Sequence, residues 1–170
     1  MLKVYNTLTR KKDVFKPIKR KKVNLFVCGL TPYDNAHIGH AKTYIQFDII
    51  VKYLRYSGYD VFYLQNVTDI DDKIIRKANE TNKNWKEVSR KYEKEYHGDM
   101  NRLNVNSITK FARATDYIKE IQNQVKRLLD KKIAYRISDG YYFDLKKFKD
   151  YGKLAKRTNQ QEEDAVSRID

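Results

Sequence analysis

Val23-Asn24-Leu25-Phe26-Val27-Cys28-Gly29-Leu30-Thr31-Pro32-Tyr33-Asp34-Asn35-Ala36-His37-Ile38-Gly39-His40 is followed by an apolar-periodic run that reaches Gly58. Val23, Leu25, Phe26 and Val27 form a short apolar run with β-branched and aromatic members, which predicts a strand ended by Gly29. Thr31-Pro32 and Asp34-Asn35 are loop signals. From Ile38, the positions Ala41, Ile45 and Ile49 recur at helical spacing, which predicts a helix. A second apolar set, Tyr44, Phe47, Val51 and Leu54, would leave that helix buried on much of its circumference. Gly58 suits a left-handed helix stop.

His37 and His40 lie three apart at the start of this helix, so they share a face of its first turn. Two imidazole donors beside the N–H groups of a helix start make a site for phosphate oxygens. Gly39 between them would let a flat ligand approach the backbone. The plainer alternative is a pair of polar residues at an ordinary helix end. A strand ending in Cys28-Gly29 and a short loop before the pair favour the site.

Working outward, Asp60-Val61-Phe62-Tyr63-Leu64-Gln65-Asn66-Val67 predicts a second strand. Strand, buried helix and strand make a βαβ unit, with parallel pairing and a right-handed crossover. Both strands read as largely apolar, as in a sheet covered on two faces. Ligands of such sheets collect at the carboxyl ends of the strands, where Cys28, Gly29 and Thr68 fall beside the His37–His40 helix start. Asp69, Asp71 and Asp72 could hold magnesium. Capping through the Asp69-x-x-Asp72 spacing is the better expectation, with a helix running to about Asn82.

Two extended pieces lie within residues 3–18, and the basic run Lys19-Arg20-Lys21-Lys22 reads as a solvated connection. Residues 84–103 and 114–131 predict polar helices with apolar stripes (Trp85, Val88, Tyr92, Tyr96, then Tyr117 to Leu129) packed on a core. His97 receives no role. Residues 133–143, turning at Ser138-Asp139-Gly140, predict a β-hairpin. From Lys146 the chain is charged and aperiodic, closing with Glu162-Glu163-Asp164.

The 36 Lys and Arg against 22 Asp and Glu give a formal charge of +14. That excess favours a polyanion such as RNA, although the abundance of Lys, Asn, Ile and Tyr also suits an A+T-rich coding sequence. A single cysteine excludes an internal disulfide. No apolar run approaches the roughly 18 residues of a membrane span, and Met1-Leu2-Lys3-Val4-Tyr5 lacks a signal-peptide core. The expectation is a soluble cytoplasmic protein.

Cys28 to His40 resembles the "HIGH" region of class I aminoacyl-tRNA synthetases, and Cys-Gly-x-Thr-x-Tyr-Asp within it resembles the cysteinyl-tRNA synthetases. Val4-Tyr5-Asn6-Thr7-Leu8-Thr9 and Asn66-Val67-Thr68-Asp69-Ile70-Asp71-Asp72-Lys73-Ile74-Ile75 are similar to the same family. The resemblance is clear over residues 2–80 and fainter beyond. It implies an α/β fold: the first half of a class I synthetase Rossmann-like parallel-sheet catalytic domain (residues 1–113), then the start of an inserted α+β connective segment (114–170).

It also implies ATP-dependent activation of cysteine and its transfer to tRNA(Cys). Catalytic His37 and His40 would stabilise phosphate charge, and Thr31, Pro32, His37, Gly39 and His40 would bind ATP. Gly29 and Thr68 would bind substrate, and Cys28 would ligate a Zn2+ that selects the substrate thiolate. Mg2+ would accompany ATP. The family's remaining zinc ligands, lysine-rich loop and anticodon-binding region have no match here, so the 170 residues are expected to be an amino-terminal fragment with little activity alone. Rival readings are a ligase joining cysteine to an amino sugar, a nucleotidyltransferase, and a non-catalytic tRNA-binding module.

Overall fold

The computed structural model describes residues 1–156. The acidic close at Glu162-Glu163-Asp164 lies outside them. In chain order come β1 (Lys3–Asn6), β2 (Lys11–Val14), β3 (Lys22–Leu30), α1 (Ile38–Tyr56), β4 (Asp60–Val67), α2 (Asp72–Glu80), α3 (Trp85–Arg102), β5 (Lys110–Arg113), α4 (Ile118–Asp130), β6 (Ala134–Ile137) and β7 (Gly140–Phe143). They fall into two compact units, one of Pro17–Ile118 and one of Met1–Lys16 with the described part of Lys119–Asp170.

The Pro17–Ile118 unit holds a three-stranded sheet in the order β3-β4-β5, parallel throughout. The βαβ unit is therefore present as β3-α1-β4. Strand β3 does not end at Gly29. It continues to Leu30, which is buried, and the register slips on the way: Val27 pairs with Gln65 but Leu30 pairs with Val67. Three steps on β3 thus match two on β4, a bulge at Cys28-Gly29. Helix α1 stops before Gly58, whose φ of 84° is the left-handed conformation expected there.

Burial is one-sided. Val61, Tyr63, Gln65 and Val67 of β4 and Val27 of β3 face the core, with Tyr44, Val51 and Leu54 of α1 buried as well. On the opposite sheet face Phe26 is 60% and Phe62 41% exposed, so coverage of two faces is not met among the described residues. All-round burial of α1 fails in the same way, because Ile49 is 60% exposed while only the stripe Tyr44, Asp48, Val51 and Leu54 is buried. A single helical stripe accounts for that set.

Helices α2 and α3 pack through Ile74, Ala78 and Val88, with Trp85 and Tyr92 against them. Buried carboxylates tie the remaining pieces. Asp48 on α1 accepts from the backbone N–H groups of Asn106 and Ser107 (2.9 and 2.8 Å) and pairs with Lys52 at 2.6 Å. Burial pushes this carboxyl up, but its hydrogen bonds with Lys52, Ser107 and Asn106 outweigh burial and hold it below the ordinary value. Glu93 on α3 accepts the Arg113 Nε–H at the end of β5, shared between its two carboxylate oxygens (2.8 and 3.1 Å). His97 packs edge-on against Phe111 at 4.5 Å, which gives it a structural role between α3 and β5.

Asp71, not the Asp69-x-x-Asp72 pair, caps α2, accepting from Lys73 N at 2.9 Å. Asp69 is buried and instead accepts from Thr115 N at 3.0 Å. The three acids therefore do not converge.

In the other unit β1 and β2 form an antiparallel hairpin, and β6 and β7 form the predicted one. The apolar stripe of α4 carries no buried residue, contrary to its expected core packing, and Ile121 is 47% exposed.

Candidate active site

Three segments meet at the carboxyl edge of β3 and β4: the Cys28-Gly29 bulge, Thr68 just after β4, and the loop leading into α1. Each is fixed by a different local interaction.

The start of α1 is a capping box built from two histidines. His37 is the N-cap, with extended backbone (φ −112°, ψ 172°), and its Nδ1 accepts from Gly39 N at 3.1 Å. His40 returns the contact, its Nδ1 accepting from His37 N at 3.2 Å. Imidazoles here stand where a serine and a glutamate usually serve. The two rings lie 4.0 Å apart between centroids.

Because both Nδ1 atoms accept, the geometry assigns the neutral Nε2–H tautomer to each ring, which leaves one donor per histidine for a ligand. Burial, aided by His37, lowers the pKa of His40 below the ordinary 6.5, in keeping with a neutral ring. The backbone donors anticipated for a ligand are partly used up: Gly39 N–H goes to His37, and His40 N and Ala41 N donate to His37 O at 2.9 and 3.2 Å. Gly39 has a further reason for lacking a side chain. A Cβ there would lie 2.8 Å from His37 Cε1, so the glycine makes room for the folded-back imidazole.

From this helix Tyr44 reaches the bulge, its hydroxyl donating to Cys28 O at 3.4 Å. Tyr44 is buried, and burial, with smaller contributions from Cys28 and Tyr63, pushes its pKa up to about 12, so it remains a donor. Gly29 N donates to the side chain of Asn66, Oδ1 at 2.8 Å, and Asn66 Nδ2 donates onward to Thr68 Oγ1 at 3.2 Å. Thr68 N closes the ring to Leu30 O at 2.9 Å. Cys28 is exposed. Thr31 is half-buried, and Pro32 is fully buried beneath the loop.

The structure thus gathers Cys28, Gly29, Thr68, His37 and His40 at one sheet edge. It adds Asn66 and Tyr44, which the sequence reading passed over. Asn66 had a signal: asparagine is a poor strand former, and it stands one residue before the end of β4. Among the described residues no group of three or more His, Cys, Asp or Glu is placed to hold a metal ion.

The model of the family described as "tRNA synthetases class I (C) catalytic domain" matches residues 14–169. Cysteine--tRNA ligase of Thermoplasma volcanium is 52% identical over 158 residues, covering 93% of this chain and 35% of that protein. The ligase of Thermococcus kodakarensis is 50% identical over 91% of this chain and 33% of its own length. That of Vibrio atlanticus is 46% identical over 100% and 37%. The chain therefore spans about a third of the length of the curated relatives it matches.

Among solved structures, methionyl-tRNA synthetase of Mycobacterium tuberculosis bound by methionyl-adenylate superimposes with a TM-score of 0.60 at 23% identity, over 67% of this chain and 22% of that one. This likeness speaks for the fold, a Rossmann-like class I arrangement around the parallel sheet. With a family match over residues 14–169 and about half of the aligned residues identical in these relatives, the chain belongs to the class I (C) tRNA synthetase catalytic-domain family.

Proposed function

We propose that this chain supplies the ATP- and cysteine-facing part of a cysteine--tRNA ligase, which activates cysteine with ATP and transfers it to tRNA(Cys). The observation that carries this reading is the meeting of Cys28-Gly29, Thr68 and the His37–His40 pair at the carboxyl edge of β3 and β4. Residues 1–113 would form the first part of the catalytic domain, and 114–170 the beginning of its connective segment.

In the first step the cysteine carboxylate attacks the α-phosphorus of ATP, pyrophosphate leaves, and cysteinyl-adenylate forms. A terminal ribose hydroxyl of the tRNA then takes the acyl group and AMP departs. Such in-line displacement needs positioning and stabilisation of developing charge. His37 and His40 supply neutral Nε2–H donors to phosphate oxygens, and no proton need move from either ring. Thr31, Pro32 and Gly39 shape the ATP side of the site, while Gly29 and Thr68 face the amino acid. Mg2+ would travel with the triphosphate.

Zinc would bind the substrate thiolate in a way that the hard hydroxyl of serine does not imitate. Cys28, an exposed sulfur donor at the strand end, fits one position of such a site. The described residues supply no set of three ligands that could hold a metal ion by themselves. In the intact protein that carries this chain, Cys28→Ser is expected to weaken zinc affinity by at least about tenfold. Metal content after dialysis against a graded chelator checks this; unchanged retention would remove Cys28 from the ligand set.

The charge of +14 suits an RNA partner, with binding that weakens steeply as salt rises. Among the described residues no helix is long and apolar enough to cross a membrane. The cytoplasm is the compartment that this reading assigns. The test is cysteine-dependent ATP–pyrophosphate exchange by the intact protein, followed by transfer of labelled cysteine to tRNA. Exchange with cysteine and charging of tRNA support the reading. Transfer to an amino sugar in place of tRNA, or no cysteine-dependent exchange, would overturn it.

A further inference from the structure

The bulge at Cys28-Gly29 has a donor that the sheet ladder cannot satisfy. Where β3 takes three steps against two on β4, Gly29 N is supplied by the Asn66 side chain at 2.8 Å. The same residue presses its main chain against the bulge, since a Cβ on Gly29 would lie 1.8 Å from Asn66 O. A backbone N–H only donates, so the atom of Asn66 that meets it must be the carbonyl oxygen. The amide is therefore not free to flip, and its NH2 end faces Thr68 Oγ1 at 3.2 Å.

A hydroxyl that accepts from an NH2 group keeps its own proton for another acceptor. Among the described residues Thr68 Oγ1 donates to none. Its backbone is held by Leu30 O at 2.9 Å, so the hydroxyl rests on a fixed base.

We propose that Asn66 is a positioning residue that sets the Cys28-Gly29 bulge with one end of its amide and, with the other, poles the Thr68 hydroxyl as a donor toward an anionic or carbonyl oxygen, or the thiolate, of the bound amino acid. This rests on the reading of Cys28, Gly29 and Thr68 as the amino-acid side of the site. Asparagine suits both tasks. Aspartate at the same place would still accept from Gly29 N, but its second oxygen would draw the Thr68 proton inward.

The test uses the intact protein, with Asn66→Asp, Asn66→Ala and Thr68→Val. In ATP–pyrophosphate exchange, Asn66→Asp is expected to raise KM for cysteine roughly tenfold, the scale of one lost hydrogen bond to a charged group, and to leave KM for ATP within about twofold. In a Thr68→Val background the aspartate should add less than about twofold, because the hydroxyl it re-poles is gone.

A second readout does not depend on activity: hydrogen exchange of the Gly29 amide in the intact protein, followed by NMR. Protection should persist in Asn66→Asp and fall roughly tenfold in Asn66→Ala. Equal rises in both KM values, no rise in either, or a Gly29 amide as protected with alanine as with asparagine would overturn the inference. Its failure differs from that of the ligase reading. The latter fails when the unmodified protein shows no cysteine-dependent exchange, and the Gly29 amide still decides the bulge in that case. The inference alone fails when the unmodified protein is active and Asn66→Asp is kinetically silent.

Discussion

Replacing either His37 or His40 by alanine is expected to slow cysteine-dependent ATP–pyrophosphate exchange by about 100-fold or more in kcat, on the scale of about 2.7–4 kcal/mol for one preorganised donor to a developing oxyanion. The double variant should lose less than the product of the single losses, since both donors serve the same phosphate. The capping box adds a structural component that must be separated. His37→Ala removes an N-cap, which costs about 1 kcal/mol of stability, whereas His37→Asn keeps a good capping side chain and still removes the Nε2–H donor. Exchange should therefore fall comparably in the two variants, while only alanine lowers the melting midpoint. Full activity in His37→Asn would assign the residue to helix capping alone.

The pH dependence follows from the same geometry. His40 binds a proton less readily in the folded chain than in the unfolded one, because burial and the neighbouring His37 lower its pKa below 6.5. Its contribution to stability is complete above about 6.5 and is lost as the pH falls through the lower folded-state value. Protonation at Nδ1 would also break the bond to His37 N, held at 3.2 Å in the neutral form. An NMR titration of the His40 ring should give a midpoint below 6.5. A midpoint above it would contradict the neutral assignment.

The second large effect is expected at Gly29. An alanine Cβ would lie 1.8 Å from Asn66 O and 2.9 Å from Gln65 Cγ, and the nearer atom is backbone. Relief requires β3 and β4 to part at the point where their register already slips. A loss of about 3 kcal/mol is the upper end of ordinary overpacking, and a main-chain collision places this variant there or beyond. For a unit of this size that is a fall of about 12–24 °C in Tm. Gly58→Ala is the contrast: nothing lies within 4 Å of its Cβ, and only the left-handed φ of 84° costs, about 1–2 kcal/mol. Equal melting of the Gly29→Ala variant and the unmodified protein would show that the bulge does not pack as described.

The β3-α1-β4 core was legible in the sequence because each signal there is local: an apolar β-branched run, a loop, a helical period and a glycine stop. The gathering of Cys28, Gly29, Thr68, His37 and His40 followed from parallel topology alone. What escaped depends on distant or reversed partners. Lys110-Phe111-Ala112-Arg113 is too short and too basic to read as a strand, yet it pairs with Leu64 to Val67 because β4 offers a free edge. Asp69 looks like a cap by spacing, but Thr115 claims it from 46 residues away. The helix-start histidines satisfy each other's backbone as well as facing outward, a reciprocity that spacing does not reveal. Asn66 acts through side-chain atoms placed by a bulge, and periodicity carries no trace of a bulge.

The most direct measurement is a crystal structure of the intact protein with a non-hydrolysable analogue of cysteinyl-adenylate. The account predicts the phosphate-mimicking oxygens within hydrogen-bond reach of His37 and His40 Nε2, and the cysteinyl end between Gly29 and Thr68 with its sulfur toward Cys28. An analogue seated away from the carboxyl edge of β3 and β4, with both imidazoles facing solvent, would contradict it.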